Sequence, residues 1–287
     1  MRYPGEINRA DYDAHPGERW SHLKHMRLSP LHYQQARKAP HKDSSPLRTG
    51  SALHAMVFEP ETYEDRFTVY REDKNKGEGA RTKWKAFQDE ARARSLTILD
   101  AEEEQRATGM ADALARNPDA RAYIAPSRGR AEIPITWTDE RTGLLCKMRA
   151  DWITVDGLLL DLKSTRSADV RNFGRQAWHL GYFHQADFYA RGLSSVTGRK
   201  VEEVPFLFVV AESDAPHDSC VFCPCDETRH AAHEEVDHLM DKLVECQRSG
   251  IWPGRYQGVQ QLKAPAYVLM ADDEEWSTTI TEGTSDA

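Results

Sequence analysis

The chain has 287 residues, 39% of them hydrophobic and 9% aromatic, enough to bury a substantial core. No apolar run approaches the roughly 18 residues needed to span a bilayer, and the first ten residues lack the apolar segment of a secretory signal, so a cytoplasmic location without membrane contact is expected. The formal net charge of −8 argues against a protein that coats nucleic acid. The charge is unevenly spread, however. Residues 1–50 hold nine Lys/Arg against five Asp/Glu, with five His besides, whereas residues 271–287 hold six acidic residues and no basic ones. That last stretch reads as a disordered acidic tail on a single folded unit of residues 1–270.

The front of the chain, to about residue 125, reads as mostly helical. Ser29 and Pro30 open a short helix as cap and first-turn residue. A second helix is predicted over 46–58, where Pro60 ends it. Residues 71–80 are charged, carry two glycines and read as a mobile loop. Helices follow over 81–95 and 101–116. The period then changes. Ile133, Ile135 and Trp137 alternate with polar residues, as a strand requires. Arg141-Thr142-Gly143 turns the chain into a second strand over 144–155, and Asp156-Gly157 turns it again into a third over 158–163. A long helix is predicted over 170–193, a buried strand over 204–211, an edge strand over 219–225 and a last helix over 227–248. This order predicts an α/β (α+β) fold around a mixed central sheet.

Alternation on the third strand puts Leu159, Asp161 and Lys163 on one face and Leu158, Leu160 and Leu162 on the other. On the second strand Lys147, Arg149 and Asp151 share a face, and the Asp156-Gly157 turn can bring Asp151 opposite the Asp161 region. Two carboxylates and a lysine would then converge. Phosphodiester hydrolysis needs such a patch: hard oxygen ligands for Mg²⁺, with Mn²⁺ able to substitute, and a cation for the water or the phosphate. An isolated Asp-x-Lys is more often a surface ion pair. Here the triplet ends a Leu-rich strand whose hairpin partner carries a second acid.

Asp151 followed by Asp161-Leu162-Lys163 resembles the PD-(D/E)xK signature of restriction-endonuclease-like nucleases. More of the chain resembles one branch, the RecE-like (exodeoxyribonuclease VIII) exonuclease domains. Gly50-Ser51-Ala52-Leu53-His54-Ala55, running to Glu59-Pro60, is similar to that branch's histidine motif. Lys147-Met148-Arg149-Ala150-Asp151-Trp152 is similar to its first acidic strand, and Asp161-Leu162-Lys163-Ser164-Thr165 to its catalytic strand. Gly181-Tyr182-Phe183-His184-Gln185-Ala186-Asp187-Phe188-Tyr189 resembles its helix motif. These four motifs fall in order between about residues 29 and 212, and the likeness weakens beyond. The resemblance implies Asp151, Asp161, His54 and the Leu162 carbonyl as metal ligands, with Lys163 at the water or scissile phosphate. It also implies 5′→3′ digestion of double-stranded DNA ends, a ring-like homo-oligomer (a tetramer) and a single-strand annealing partner. Gln185 and Tyr189, four apart on one helix face with Tyr182 and Trp178, complete the catalytic candidates. Trp178, Tyr182 and Phe188 are expected to pack against the sheet. Glu132 is a weaker acidic candidate, expected to face solvent.

For DNA contact the candidates are Arg48, Ser164, Thr165, Arg166, Arg171 and Arg175, together with the start of the helix after the catalytic strand. The segment holding Lys74, Lys76, Arg81, Lys83, Trp84 and Lys85 is a further candidate for gripping a strand. No helix-turn-helix or zinc-finger pattern is present. Cys220, Cys223 and Cys225, with His230, His233 and His238, could form a zinc or iron–sulfur site, but their spacing favours ordinary thiols. Two alternatives to the exonuclease stand: a non-catalytic DNA-binding or docking module that keeps the fold, and an endonuclease of the same superfamily.

Overall fold

Ser29 accepts the His32 amide and Pro30 needs no donor of its own, so the two start a helix where their chemistry allows one. The computed structural model describes residues 3–40, 43–73, 75–256 and 258–265. The acidic segment 271–287, the last residues of the span 1–270 and Lys74 lie outside the described residues. The front holds α1 (Arg9–Ala14), α2 (Trp20–Leu23), α3 (Pro30–Lys38), α4 (Ser45–Phe58) and α5 (Tyr63–Arg66). It is not wholly helical. Strand β1 (Phe67–Tyr70) pairs in parallel with β2 (Thr97–Asp100), and α6 (Glu78–Ala93) connects them. Each strand is only four residues long, too short to show a period. Helices α7 (Ala101–Arg116) and α8 (Pro118–Ile124) follow. Asp100 and Glu103 cap α7 reciprocally, each side chain taking the other's backbone N–H.

The central sheet carries five strands in the order β3 (Gly129–Thr138), β4 (Leu145–Thr154), β5 (Leu159–Thr165), β6 (Phe206–Glu212) and β7 (Ser219–Phe222). The β5–β6 pairing is parallel and the others are antiparallel, so the predicted mixed sheet is present. Between β5 and β6 lie α9 (Val170–Leu180) and α10 (Tyr182–Thr197), and α11 (Asp226–Ser249) ends the body. The single helix expected over 170–193 is thus two. Gly181 breaks it at φ +77°, a conformation costly for any residue with a Cβ, and Trp20 packs where that Cβ would sit.

Helices cover both faces of the sheet. On one, Ile133, Ile135, Met148, Leu159 and Phe208 pack under α2, α10 and α11 with Trp20, Phe188 and Leu239. On the other, Trp152, Leu160, Leu162 and Val209 pack under α4 and α7 with Leu53, Phe58 and Met110. Leu159 and Leu160 fall into opposite clusters, as strand alternation requires. Phe188 is buried as expected, but Trp178 is 37% exposed, because the break at Gly181 turns α9 away from the line of α10. Cys220 sits on edge strand β7, while Cys223 and Cys225 are exposed beyond it. His233 bonds Asp187 and Arg191, and His230 faces Glu234. Among the described residues the cysteines join no group that could hold a metal.

Candidate active site

The three strands β3, β4 and β5 carry one carboxylate each at the same level of the sheet. The β4–β5 ladder consists of Ile153↔Leu159 and Trp152↔Leu160. One step further along that register stands Asp151 opposite Asp161, where the strands no longer pair. The β3–β4 ladder likewise runs through Ala131↔Trp152 and Ile133↔Ala150 but omits Glu132 and Asp151, which face each other between them. Glu132 has φ +52°. Its neighbours Ala131 and Ile133 fall into opposite core clusters, as do Ala150 and Trp152 on β4. The alternation of both strands is therefore reset at this level.

Each acid is held differently. Asp151 Oδ2 accepts the Leu162 amide at 3.0 Å, replacing the backbone partner that β4 no longer supplies. Asp161 is fully buried. Its Oδ1 accepts from Gln185 Nε2 at 2.8 Å, and its Oδ2 is ion-paired with Lys163 but meets no hydrogen bond of good geometry. Glu132 pairs with Arg149 at 2.6 Å. His54, from α4 beneath the sheet, places Nε2 3.1 Å from the Leu162 carbonyl and Nδ1 3.7 Å from Asp151. Since a carbonyl only accepts, Nε2 carries the proton and Nδ1 keeps its lone pair toward the acids. Lys163 also stands over the Tyr182 ring, 4.7 Å from its centre.

The charges follow this burial. Burial pushes the Asp161 carboxyl up to about 6, Lys163 pulls it back and Asp151 adds to the rise. Burial raises Asp151 and Glu132 as well. Burial works against the Lys163 ammonium, but Asp161 and Asp151 outweigh it and hold the group above its usual value. Burial, then Lys163, lowers His54, keeping it neutral and able to bind a metal. Tyr189 is raised well above its ordinary value by burial and by both aspartates, so its hydroxyl keeps its proton.

These residues fit a divalent cation. One ligand atom each from His54, Glu132 and Asp151 lies within 4.8 Å of the others. The poorly satisfied Asp161 oxygen and the Leu162 carbonyl add hard oxygen donors next to them. Glu132 belongs to this group rather than to solvent. Strict alternation gave it the wrong environment because the alternation breaks at Glu132 itself.

A cleft of about 400 Å³ opens beside the acids, lined by Arg9, Arg19, Lys24, Lys147 and Arg149 along with Asp151, Tyr182, Gln185 and Tyr189. Sequence reasoning missed Arg9, Arg19 and Lys24, and the only signal was the basic excess of the first fifty residues. Lys147 is spent holding the front in place: its Nζ donates to the Tyr12 and His15 carbonyls at the end of α1, at 2.7 Å each. Of the predicted DNA contacts, Arg166, Arg171 and Arg175 are exposed and carry no ion pair with any described residue. Ser164 is half-buried between Lys163 and Thr165. The Thr165 hydroxyl is instead engaged locally, 3.1 Å from the Ser167 carbonyl and 2.8 Å from the Gln176 side chain on α9. The α9 N-terminus is capped by Asp169, so it offers no open anion site. Arg48 points away from the cleft, bound to Glu103 at 2.5 Å and Asp43 at 2.9 Å.

The family model described as "PDDEXK-like domain of unknown function (DUF3799)" matches residues 20–265. The chain belongs to this PDDEXK-like family. A search of the curated proteins found no match. Among solved structures, the chain is similar to one from Eubacterium rectale named "Putative exonuclease", with a TM-score of 0.58 and 15% identity, covering 92% of this chain and 98% of that one. LHK-Exo in complex with dAMP aligns at a TM-score of 0.26 and 14% identity over 71% of this chain and 96% of that one. The first likeness shows the fold: the mixed sheet and flanking helices are those of a restriction-endonuclease-like nuclease fold. Within the matched span, Asp151, Asp161 and Lys163 lie together at the open end of the β4–β5 ladder. No helix among the described residues is long and apolar enough to cross a membrane.

Proposed function

We propose that this PDDEXK-like chain is an Mg²⁺-dependent exonuclease that digests linear double-stranded DNA, 5′→3′, to expose single strands for recombination. The observation that carries the reading is the alignment of Asp151 with Asp161 across the open end of the β4–β5 ladder, with Lys163 on Asp161. The name of the Eubacterium rectale protein supports exonuclease action, and the resemblance of the four motifs supports end digestion, a homo-oligomer and an annealing partner. A purely DNA-binding module has no use for three carboxylates beside a phosphate, since each repels the backbone it must hold.

Asp151, Asp161, Glu132, His54 and the Leu162 carbonyl would hold the cation. Once bound, it neutralises charge on the scissile phosphate and makes a water more acidic. The protein's own contribution is positional. Asp151 and His54 grip the Leu162 amide and carbonyl, so the catalytic strand cannot shift relative to β4 and α4. Gln185 turns the Asp161 carboxylate by fixing Oδ1, which leaves Oδ2 toward Lys163. Lys163 is fully charged and only 14% exposed, so its field reaches a phosphate or a nucleophilic water with little screening. Arg19 and Lys24, beside Arg9 and Arg149 that are themselves paired with Asp13 and Glu132, give the cleft basic groups to meet the phosphates of a strand.

The test is digestion of end-labelled linear duplex against a closed circle, with and without EDTA. Loss of label and mass from the linear form only, and only with Mg²⁺ or Mn²⁺, is expected. Cutting of the circle would make it an endonuclease. Binding without cutting would make it a docking module.

A further inference from the structure

Residues 162–186 hold Lys163, Arg166, Arg171 and Arg175 against a single acid, Asp169, in a chain whose net charge is −8. Helical spacing gathers part of that charge on one surface. Arg171, Gly174, Arg175 and Trp178 stand at i, i+3, i+4 and i+7 of α9 and so share a side. Phe173 and Ala177, on the opposite side, are buried. Arg171, Arg175 and Trp178 are exposed, and a Cβ built on Gly174 would touch nothing, so the stripe is open along its length. Neither arginine forms an ion pair with any described residue, nor does Arg166 in the segment leading into α9. Asp169 is occupied in capping the helix, where it accepts the Arg171 and Asn172 amides.

One end of the stripe opens on the candidate active site. Trp178 is followed by Leu180 and Tyr182, both of which line the cleft of the acids, and Lys163 stands over the Tyr182 ring. Arg27 fixes this end by donating to the Trp178 and His179 carbonyls at 3.1 Å each. The indole is held by Phe183 and His184, whose ring centres lie 6.3 and 4.8 Å away. Both rings are tilted, by 44° and 55°, so neither covers the indole face to face, and Trp178 stays 37% exposed. A fixed aromatic ring open to water, beside unpaired guanidinium groups, offers what an unpaired nucleic-acid strand needs: a plane for a base and cations for its phosphates. A duplex keeps its base faces inside its own stack and has no use for the indole.

We propose that this face of α9 is a single-stranded DNA track leading out of the cleft, with a base stacked on Trp178 and phosphates on Arg175 and Arg171. The strand is the one that digestion leaves unpaired, so the inference rests on the nuclease reading for the source of its ligand. Binding is measured in EDTA, without cleavage, by titrating a labelled oligothymidylate and a labelled blunt duplex with the full chain. Trp178→Leu keeps an apolar body against Phe183 and His184 but offers no ring. It should weaken single-strand binding by roughly tenfold, the scale of one lost base–aromatic stack, and leave duplex binding alone. Trp178→Phe should retain most of the affinity. Arg171→Gln with Arg175→Gln alters only exposed positions, so its melting temperature should hold. Its slope of log affinity against log salt should be shallower by about 1.4, two phosphate contacts at about 0.7 each on a single strand. Trp178→Leu should keep the wild-type slope. Equal single-strand affinity in wild type and Trp178→Leu overturns the proposal. So does an equal loss on single strand and duplex, or an unchanged salt slope in the arginine variant. A chain that digests linear duplex yet gives one of these results is a nuclease without the track. A chain that shows the track and cuts nothing loses the nuclease reading alone.

Discussion

Asp151 Oδ2 accepts the Leu162 amide at 3.0 Å, at the point where the β4–β5 ladder has stopped. The same oxygen lies 3.7 Å from His54. A single carboxylate thus closes the sheet and faces the candidate metal position, and the two roles separate by substitution. Asp151→Asn keeps an acceptor for the Leu162 amide and removes the charge, so the melting temperature should hold while Mg²⁺ binding by calorimetry is lost. Asp151→Ala also leaves the amide unpaired, at about 1–3 kcal/mol, and should lower the melting temperature as well. Equal melting of the two variants would show that the amide contact carries no weight.

Metal binding should depend on pH through Asp161. Its carboxyl is pushed up to about 6 by burial, opposed by Lys163 and assisted by Asp151. The metal needs the carboxylate, so below that pH a proton competes for the site, and above it the site is open. Mg²⁺ affinity should be flat above about pH 7 and fall by roughly tenfold per unit below pH 6, with proton uptake on metal release. Calorimetry in two buffers of different ionisation heat reads both. Affinity that is unchanged at pH 5 would remove Asp161 from the ligands.

Much of this site was legible because it obeys period two. Leu159, Asp161 and Lys163 share a face by alternation alone, and the Asp156-Gly157 turn sets Asp151 across from Asp161. What could not be read depends on exceptions or on distance. Glu132 faces inward only because its φ of +52° resets the alternation. Gly181 splits a helix whose apolar pattern runs straight through it, because Trp20, 161 positions earlier, packs against its Cα. Arg9 and Arg19 reach the cleft through contacts of Lys147 with residues more than 130 positions away, and no local pattern carries that information.

Arg48 separates a structural arginine from a DNA contact. It binds Glu103, which is 1% exposed and also caps α7 through the Asp100 amide. Arg48→Ala leaves that carboxylate buried and short of a partner. The cost should be about 2–3 kcal/mol, below the full value for a broken buried pair because Arg48 is itself a quarter exposed. Thermal melting should fall and DNA affinity should not. Weakened DNA binding at constant stability would return Arg48 to the interface.

Glu132→Gln tests the acid that alternation misplaced. The amide can still take a hydrogen bond from Arg149, so the sheet should keep its stability. The candidate metal position loses one of the three groups that lie within 4.8 Å of one another, and Mg²⁺ should bind about tenfold more weakly. Unaltered Mg²⁺ affinity would mean that Glu132 serves only to hold Arg149.

Lys163→Ala tests the centre of the site. The variant keeps Asp151, Asp161, Glu132 and His54 and removes the cation that pairs with Asp161 among the described residues. Two consequences follow from that loss. Turnover on linear duplex should drop by roughly 10²-fold or more, the scale for deleting one preorganised charge-stabilising group. Lys163 also holds the Asp161 carboxyl down against burial, so without it that carboxyl rises further and the pH below which Mg²⁺ affinity falls should move upward. A surface ion pair would do neither, since losing one costs at most about 1 kcal/mol of stability and leaves chemistry alone. Both readouts come from one purified variant. If Lys163→Ala digests linear DNA at the wild-type rate and titrates Mg²⁺ with the wild-type pH profile, Lys163 is a structural partner of Asp161 and the catalytic cation must be sought along the wall of Arg9, Arg19 and Lys24.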